Sequence, residues 1–155
     1  MRLPFFKQAT EAGPKSMMVS HKPIFVLDDD LSVLKAVERL LTVRGFDVET
    51  FPNVETFTER GNPRTASCLV LDINLNGSSG IELKHKLTDA GIAPPVIFIT
   101  GRDEDVTRRA ALSAGCVAYL SKPFSSKDLV DAIEASRTQM RLSRILSRGQ
   151  CASAR

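Results

Sequence analysis

Five short apolar runs recur along the chain, and each is followed by a segment whose apolar residues return at helical spacing. The runs favour β-strands and occupy residues 24–27, 46–50, 68–71, 96–99 and 117–120. Three of them, 24–27, 68–71 and 96–99, are apolar at every position, which is typical of strands buried on both faces. The pattern therefore predicts five consecutive units, each a strand followed by a helix.

Polar residues at the helix ends support these boundaries. Asp30 and Asn53 stand where N-caps are needed for the first two helices. Ser125 and Asp128 have the spacing of a capping box before the last helix. Gly115 follows the fourth helical segment, which the pattern places near residues 104–113, and is expected to end it.

Repeated strand-then-helix units predict a specific architecture. Strands that are apolar on both faces form a parallel sheet with helices on either side, and the crossovers are right-handed. We therefore predict an α/β fold with a doubly wound, five-stranded parallel sheet in a three-layer α/β/α sandwich. In such folds the functional groups lie beyond the carboxyl ends of the strands.

Chemically active side chains stand at those predicted strand ends. Asp28 and Asp29 follow the first strand, Asp72 the third, Thr100 the fourth and Lys122 the fifth. Taken singly, each has an ordinary role as a helix cap, a strand residue or a loop charge. Carboxylates brought together repel one another unless a cation shares the site, and an all-oxygen ligand set suits Mg²⁺.

Four segments carry a resemblance to a known family. They read VLDDD, LVLDINLNGSSGIEL, VIFITG and AYLSKPF, and they resemble the receiver domain of two-component response regulators over about residues 23–137. The resemblance implies a flavodoxin-like sheet with strand order 2-1-3-4-5. It also implies a phosphorylation-dependent signalling domain that catalyses only its own phosphorylation and dephosphorylation.

The resemblance implies a role for each strand-end residue. Asp72 matches the phosphoacceptor, a carboxylate nucleophile that attacks a phosphoryl group. Asp28 and Asp29 match the acidic pair that, together with Asp72, holds Mg²⁺, with Mn²⁺ as an alternative ion. Asn74 matches the position whose backbone carbonyl binds the metal.

Three further residues match the part of the family that responds to phosphorylation. Lys122 matches the lysine that pairs with carboxylate and phosphoryl oxygens. Thr100 matches the hydroxyl that turns inward to the phosphoryl group, and Tyr119 matches the aromatic switch that moves with it. One departure is Leu75-Asn76, where the family usually has Met-Pro, and losing a proline is expected to loosen the loop over 74–80.

The net charge of +3 is unevenly distributed along the chain. Residues 1–22 carry +3 and residues 137–155 carry +5, which leaves −5 on residues 23–136. We expect a mobile leader over 1–22, a receiver domain over 23–137 and a basic C-terminal tail over 138–155. An acidic central domain does not indicate direct nucleic-acid binding.

The sequence contains no segment of the ~20 apolar residues that a membrane-spanning helix requires. We therefore expect a cytoplasmic protein that does not bind membranes. Few residues follow the last predicted helix, so we expect a stand-alone receiver without an output domain. Its partners would be a sensor histidine kinase or phosphotransfer protein and a downstream protein target, with a homodimer as a further form of the output.

The arginines of the tail recur every three or four residues and would share one helical face. That pattern fits a solvated extension of the last helix, and it also fits a docking surface for an acidic partner. The arginines are Arg137, Arg141, Arg144 and Arg148.

Two other functions are alternatives to that of a receiver domain. The Asp28-Asp29-Asp30 run, with Thr100 and Lys122, is similar to motifs of Mg²⁺-dependent phosphatases of the haloacid dehalogenase superfamily. That family needs another strand-end acidic pair after Lys122, whereas Asp128 and Asp131 fall inside a predicted helix. A nucleotide-binding module is disfavoured because no glycine-rich phosphate-binding motif follows the first strand.

Overall fold

The computed structural model describes the backbone of residues 22–153 and the side chains of residues 22–146. All but the last residue of the predicted leader therefore lies outside the described residues. The strands are β1 Ile24–Leu27, β2 Val48–Phe51, β3 Cys68–Asp72, β4 Asn74–Leu75, β5 Ser78–Ser79, β6 Val96–Thr100 and β7 Ala118–Ser121. The helices are α1 Leu31–Val43, α2 Val54–Arg60, α3 Gly80–Asp89, α4 Asp105–Ala114 and α5 Ser126–Ser153, with a 3₁₀ turn at Pro63–Thr65.

The main sheet is fully parallel, and its strand order is β2-β1-β3-β6-β7. The strands β4 and β5 form a separate two-stranded hairpin, so the five main strands taken in chain order are arranged 2-1-3-4-5. The predicted doubly wound flavodoxin-like fold is confirmed. The three all-apolar runs became the three central strands, each buried at every position.

Two separate apolar cores cover the two faces of the sheet. Alternate residues of one strand point to opposite faces, so that Phe25 and Leu27 belong to one core and Ile24 and Val26 to the other. Helices α2, α3 and α4 complete the first core, while α1 and α5 complete the second. The result is the predicted three-layer sandwich.

The predicted caps are present. The side chain of Asp30 accepts a hydrogen bond from the Ser32 backbone N–H at 2.9 Å. Asn53 caps α2 in the same way through the N–H of Thr56. At the start of α5, Ser125 Oγ accepts a hydrogen bond from the Asp128 N–H at 3.0 Å, and the Asp128 carboxylate accepts one from the Ser125 N–H. These side chains satisfy N–H groups that a helix cannot pair internally.

The segment over 74–80, predicted as a loosened loop, contains an ordered turn. Asn74 pairs with Ser79 and Leu75 with Ser78 in an antiparallel hairpin. The two residues between these strands both have positive φ, +48° at Asn76 and +94° at Gly77. Asn-Gly is the preferred pair for such a two-residue turn, so the chain replaces the missing proline with its own turn signal.

The last helix continues past the sheet. From 141 to 146 every side chain of α5 is exposed, including Leu142, Ile145 and Leu146. Within residues 22–153, none of the helices has the length and hydrophobicity needed to cross a bilayer.

Gly80, the first residue of α3, lies very close to the backbone of Asp72 and Ile73. The Gly80 N–H donates to the carbonyl of Ile73 at 2.9 Å, and a Cβ at Gly80 would overlap the Asp72 carbonyl oxygen. We expect Gly80→Ala to lower the free energy of unfolding by about 1–3 kcal/mol, because the backbone that carries Asp72 would have to shift. Urea denaturation measures this effect.

The matched control is Gly101→Ala, since a Cβ there meets nothing within 4 Å and the φ is not positive. It should change the unfolding free energy by no more than about 0.5 kcal/mol. Equal losses in the two variants would contradict a specific clash at Gly80.

Candidate functional site

Paired strand ends bring two buried aspartates together. Leu27 in β1 lies opposite Leu71 in β3, so the next residue of each chain segment, Asp28 and Asp72, reaches the same edge of the sheet. Asp28 is fully buried, Asp72 is 4% exposed and the neighbouring Asp29 is exposed. Carboxylate oxygens of these three residues lie within 4.8 Å of one another.

Lys122, which follows β7, extends its ammonium group into this cluster. Its Nζ lies 2.7 Å from Asp28 Oδ2 and 3.1 Å from Asp72 Oδ2. Burial lowers the pKa of Lys122, but the two adjacent carboxylates outweigh burial and the pKa is raised. The lysine is therefore held in its charged form, and one positive charge faces three carboxylates.

Burial, and after it the nearby charge of Asp28, raises the pKa of the Asp72 carboxyl to about 6. The Asn74 N–H, which donates to Asp72 Oδ1 at 3.1 Å, and the Lys122 ammonium act in the opposite direction but do not offset these effects. Above about pH 6 Asp72 is therefore ionised in surroundings that disfavour its negative charge.

The described residues fit a hard divalent cation. Asp28 Oδ2 is buried beside the Lys122 ammonium, 2.7 Å away, and Asp28 Oδ1 accepts a hydrogen bond from the Asp30 N–H at 2.9 Å. Three carboxylates against one ammonium leave excess negative charge, and all the candidate ligand atoms are oxygens. The backbone of Asn74 lies next to this cluster, because its N–H donates to Asp72 Oδ1.

Thr100 lies at the adjacent strand end, but its hydroxyl is engaged elsewhere. Ile99 pairs with Asp72 across β6 and β3, so Thr100 stands one residue further along the same edge. Thr100 Oγ1 donates to the carbonyl of Arg102 and accepts from the Arg102 N–H, both at 3.0 Å. In this structure the hydroxyl therefore bonds its own loop and no atom of Asp72.

Tyr119 is half-buried on the side of the sheet that faces α4. Its hydroxyl donates to Asp103 Oδ1 at 3.3 Å, and the guanidinium of Arg108 lies 4.8 Å from the ring centre. Neither contact involves the carboxylate cluster. Sequence reasoning did not single out Asp103, which lies in a run of exposed charged residues that no motif distinguishes.

The chain matches the response regulator receiver domain family over residues 24–134. It therefore belongs to the response regulator receiver domain family. Receiver domains are signalling domains that interact with histidine kinases and downstream targets and bind Mg²⁺ at an acidic pocket. In this chain Asp28, Asp29 and Asp72 form an acidic cluster.

Individual relatives agree with the family. Nodulation protein W of Bradyrhizobium diazoefficiens is 35% identical over 127 residues, which are 82% of this chain and 53% of that protein. Response regulator protein TodT of Pseudomonas putida is 32% identical over 130 residues, 84% of this chain and 57% of that protein. The solved structure of response regulator StyR superposes with a TM-score of 0.72 at 40% identity, covering 85% of this chain and 67% of that one.

The chain spans about half the length of the curated relatives it matches. The absence of an output domain accordingly stays a prediction. The phosphatase alternative finds no support, because Asp128 caps α5 and Asp131 pairs with Lys127 on the surface of the same helix, at 2.6 Å. Neither residue stands at a strand end.

The raised pKa of Asp72 predicts a pH-dependent gain in stability when the carboxylate is removed. Because its pKa in the folded protein, about 6, exceeds the unfolded value of about 4, folding is penalised as the pH rises through that interval. We expect Asp72→Asn, in chelator, to raise the unfolding free energy by about 1–2 kcal/mol at about pH 8 and to have little effect at about pH 4. Urea denaturation at both pH values measures the difference.

Asp30→Asn serves as the control. Its hydrogen bonds from Ser32 lower the pKa of Asp30, so the linkage has the opposite sign and no gain at the higher pH is expected. A gain from Asp72→Asn that is the same at both pH values would contradict the raised pKa of Asp72.

Proposed function

We propose that the domain accepts a phosphoryl group on Asp72 from a sensor histidine kinase or phosphotransfer protein, and that this event changes a protein–protein interface. The observation that carries the proposal is the position of Asp72. It is a buried carboxylate with a raised pKa at the end of the central strand, and the Lys122 ammonium contacts both it and the Asp28 carboxylate. A phosphoryl group on Asp72 would add negative charge to this cluster, so the site has to bind that added charge.

In the proposed step a carboxylate oxygen of Asp72 attacks phosphorus, and the bond from phosphorus to the donor, a histidine nitrogen, breaks. The product is an acyl phosphate on Asp72, and the departing imidazole takes up a proton. Asp72 has to be ionised to act as the nucleophile. Its pKa of about 6 leaves it mostly charged at neutral pH. The chain would thus catalyse only its own phosphorylation and dephosphorylation.

The side chains around Asp72 would hold the transferred group. Lys122 Nζ, already 3.1 Å from Asp72 Oδ2, is close enough to pair with a phosphoryl oxygen after a small movement. Asp28, Asp29, Asp72 and the Asn74 carbonyl are the proposed ligands for Mg²⁺, with Mn²⁺ as an alternative. When bound, the ion would offset the charge that develops on the phosphoryl oxygens.

Thr100 and Tyr119 are the proposed route from this site to the interface. To bond a phosphoryl oxygen, the Thr100 hydroxyl has to leave the two backbone groups of Arg102 that it now engages. Its movement would open space near β7 for Tyr119, and the face formed by α4, β7 and α5 would change. A downstream protein or a second copy of the chain would bind there, without direct contact to nucleic acid or membrane.

We expect acetyl phosphate with Mg²⁺ to add one phosphoryl group to the wild-type chain and none to Asp72→Asn. An amide cannot act as the nucleophile, whereas its size preserves the fold. Intact mass spectrometry measures the incorporation. Asp30→Asn is the matched control and should label like wild type, because Asp30 caps α1 and lies outside the carboxylate cluster.

Full labelling of Asp72→Asn would place the phosphoacceptor elsewhere. Sustained release of phosphate from simple phosphomonoesters by the wild-type chain would instead support the phosphatase alternative.

We expect Asp29→Ala to weaken Mg²⁺ binding by about tenfold or more, since the loss of even an outer-shell partner reaches that size. Asp29 is exposed, so the fold should remain intact. Isothermal titration calorimetry measures the affinity. Asp30→Ala should bind Mg²⁺ as wild type does, despite losing about 1 kcal/mol of stability with its cap, and equal affinities in the two variants would contradict the ligand assignment.

A further inference from the structure

One surface aspartate joins the loop after β6 to two other elements. Asp103 Oδ2 accepts a hydrogen bond from Ser121 Oγ in β7 at 3.0 Å and from Arg108 Nη2 in α4 at 2.5 Å. Asp103 Oδ1 accepts one from the Tyr119 hydroxyl at 3.3 Å. A single exposed carboxylate thereby contacts three donors on α4 and β7.

Helix capping does not account for these contacts. The N-cap of α4 is Glu104, whose side chain makes no capping bond, and the acid in the first turn is Asp105. The recorded partners of the Asp103 carboxylate are all side chains. An isolated surface ion pair with Arg108 would add little, so the informative contacts are those with Tyr119 and Ser121.

The same loop is held at its other end by Thr100. Thr100 Oγ1 bonds both the N–H and the carbonyl of Arg102. That carbonyl belongs to the rigid peptide unit whose other half is the Asp103 N–H. If the Thr100 hydroxyl leaves Arg102, this peptide unit loses its anchor and Asp103 is free to move with it.

We propose that Asp103 is a positioning residue that holds the loop, Tyr119 and Ser121 in the unphosphorylated arrangement. The inference rests on the proposed function and goes beyond it, because it assigns the resting position of Tyr119 to a hydrogen bond and not to packing alone. When the Thr100 hydroxyl turns toward Asp72, the loop moves, and this movement strains the three hydrogen bonds that Asp103 accepts. Removing the carboxylate makes the phosphorylated arrangement easier to reach.

The chain supplies its own spectroscopic probe for this arrangement. It contains one tyrosine and no tryptophan, so its tyrosine emission arises from Tyr119 alone. A carboxylate that accepts the phenolic hydrogen bond quenches tyrosine emission. Emission should therefore rise when Tyr119 leaves Asp103, whether through mutation or through binding at Asp72.

The test is a titration of the full chain with beryllofluoride in the presence of Mg²⁺, with tyrosine emission as the readout. Wild type should brighten on binding. Asp103→Ala should be brighter before any addition and should bind beryllofluoride about threefold to tenfold more tightly, because more of the protein already has the competent arrangement. Ser121→Ala should tighten binding less, and it should add nothing to Asp103→Ala if both act through one contact.

Glu104→Ala is the matched control, since it removes an equal charge from the neighbouring position, where no capping bond exists. It should leave emission and affinity as in wild type. A wild-type response with unchanged affinity in Asp103→Ala would overturn the positioning role alone, and so would an equal gain in Glu104→Ala, which would indicate a general charge effect. A wild-type chain that does not bind beryllofluoride would overturn the proposed function and this inference with it.

Discussion

The arrangement of the molecule depends on two aspartates that are buried side by side at the ends of adjacent central strands. Asp28 and Asp72 occupy corresponding positions because Leu27 and Leu71 are paired in the sheet. Burial, and after it the repulsion between the two carboxylates, raises the pKa of Asp72 and requires compensation by positive charge. Lys122 supplies part of that charge, and three carboxylates against one ammonium leave the cluster with excess negative charge.

The strand order determines which groups meet at this edge. β6 and β7 lie on one side of β3. Thr100, at the end of β6, is therefore one strand away from Asp72, and Lys122, which follows β7, is two strands away. A long side chain is therefore needed at the latter position, and the Lys122 ammonium does contact both carboxylates. The shorter Thr100 hydroxyl instead engages the loop that begins there, which makes that loop sensitive to any change at the site.

Two features show where sequence reasoning fell short for different reasons. The hairpin at Asn76-Gly77 had a recognisable local signal, because Asn-Gly favours the positive φ values that the turn adopts. The missing proline of the usual Met-Pro pair predicts a looser loop, but the Asn-Gly pair that follows favours a tight turn. Asp103, in contrast, had no local signal at all, since its three donors come from positions 108, 119 and 121 and meet it only in the folded chain.

The sequence by itself determined the five strand-then-helix units, the caps at Asp30, Asn53 and Ser125, and the identity of the polar residues at the strand ends. These follow from periodicity and local hydrogen bonding, which act over a few neighbouring residues. The tertiary structure alone decided the distances among Asp28, Asp72 and Lys122, the pKa of Asp72, the engagement of Thr100 with Arg102 and the role of Asp103. Those properties depend on strand register, burial and side-chain direction, which are set only when segments distant in sequence pack against one another.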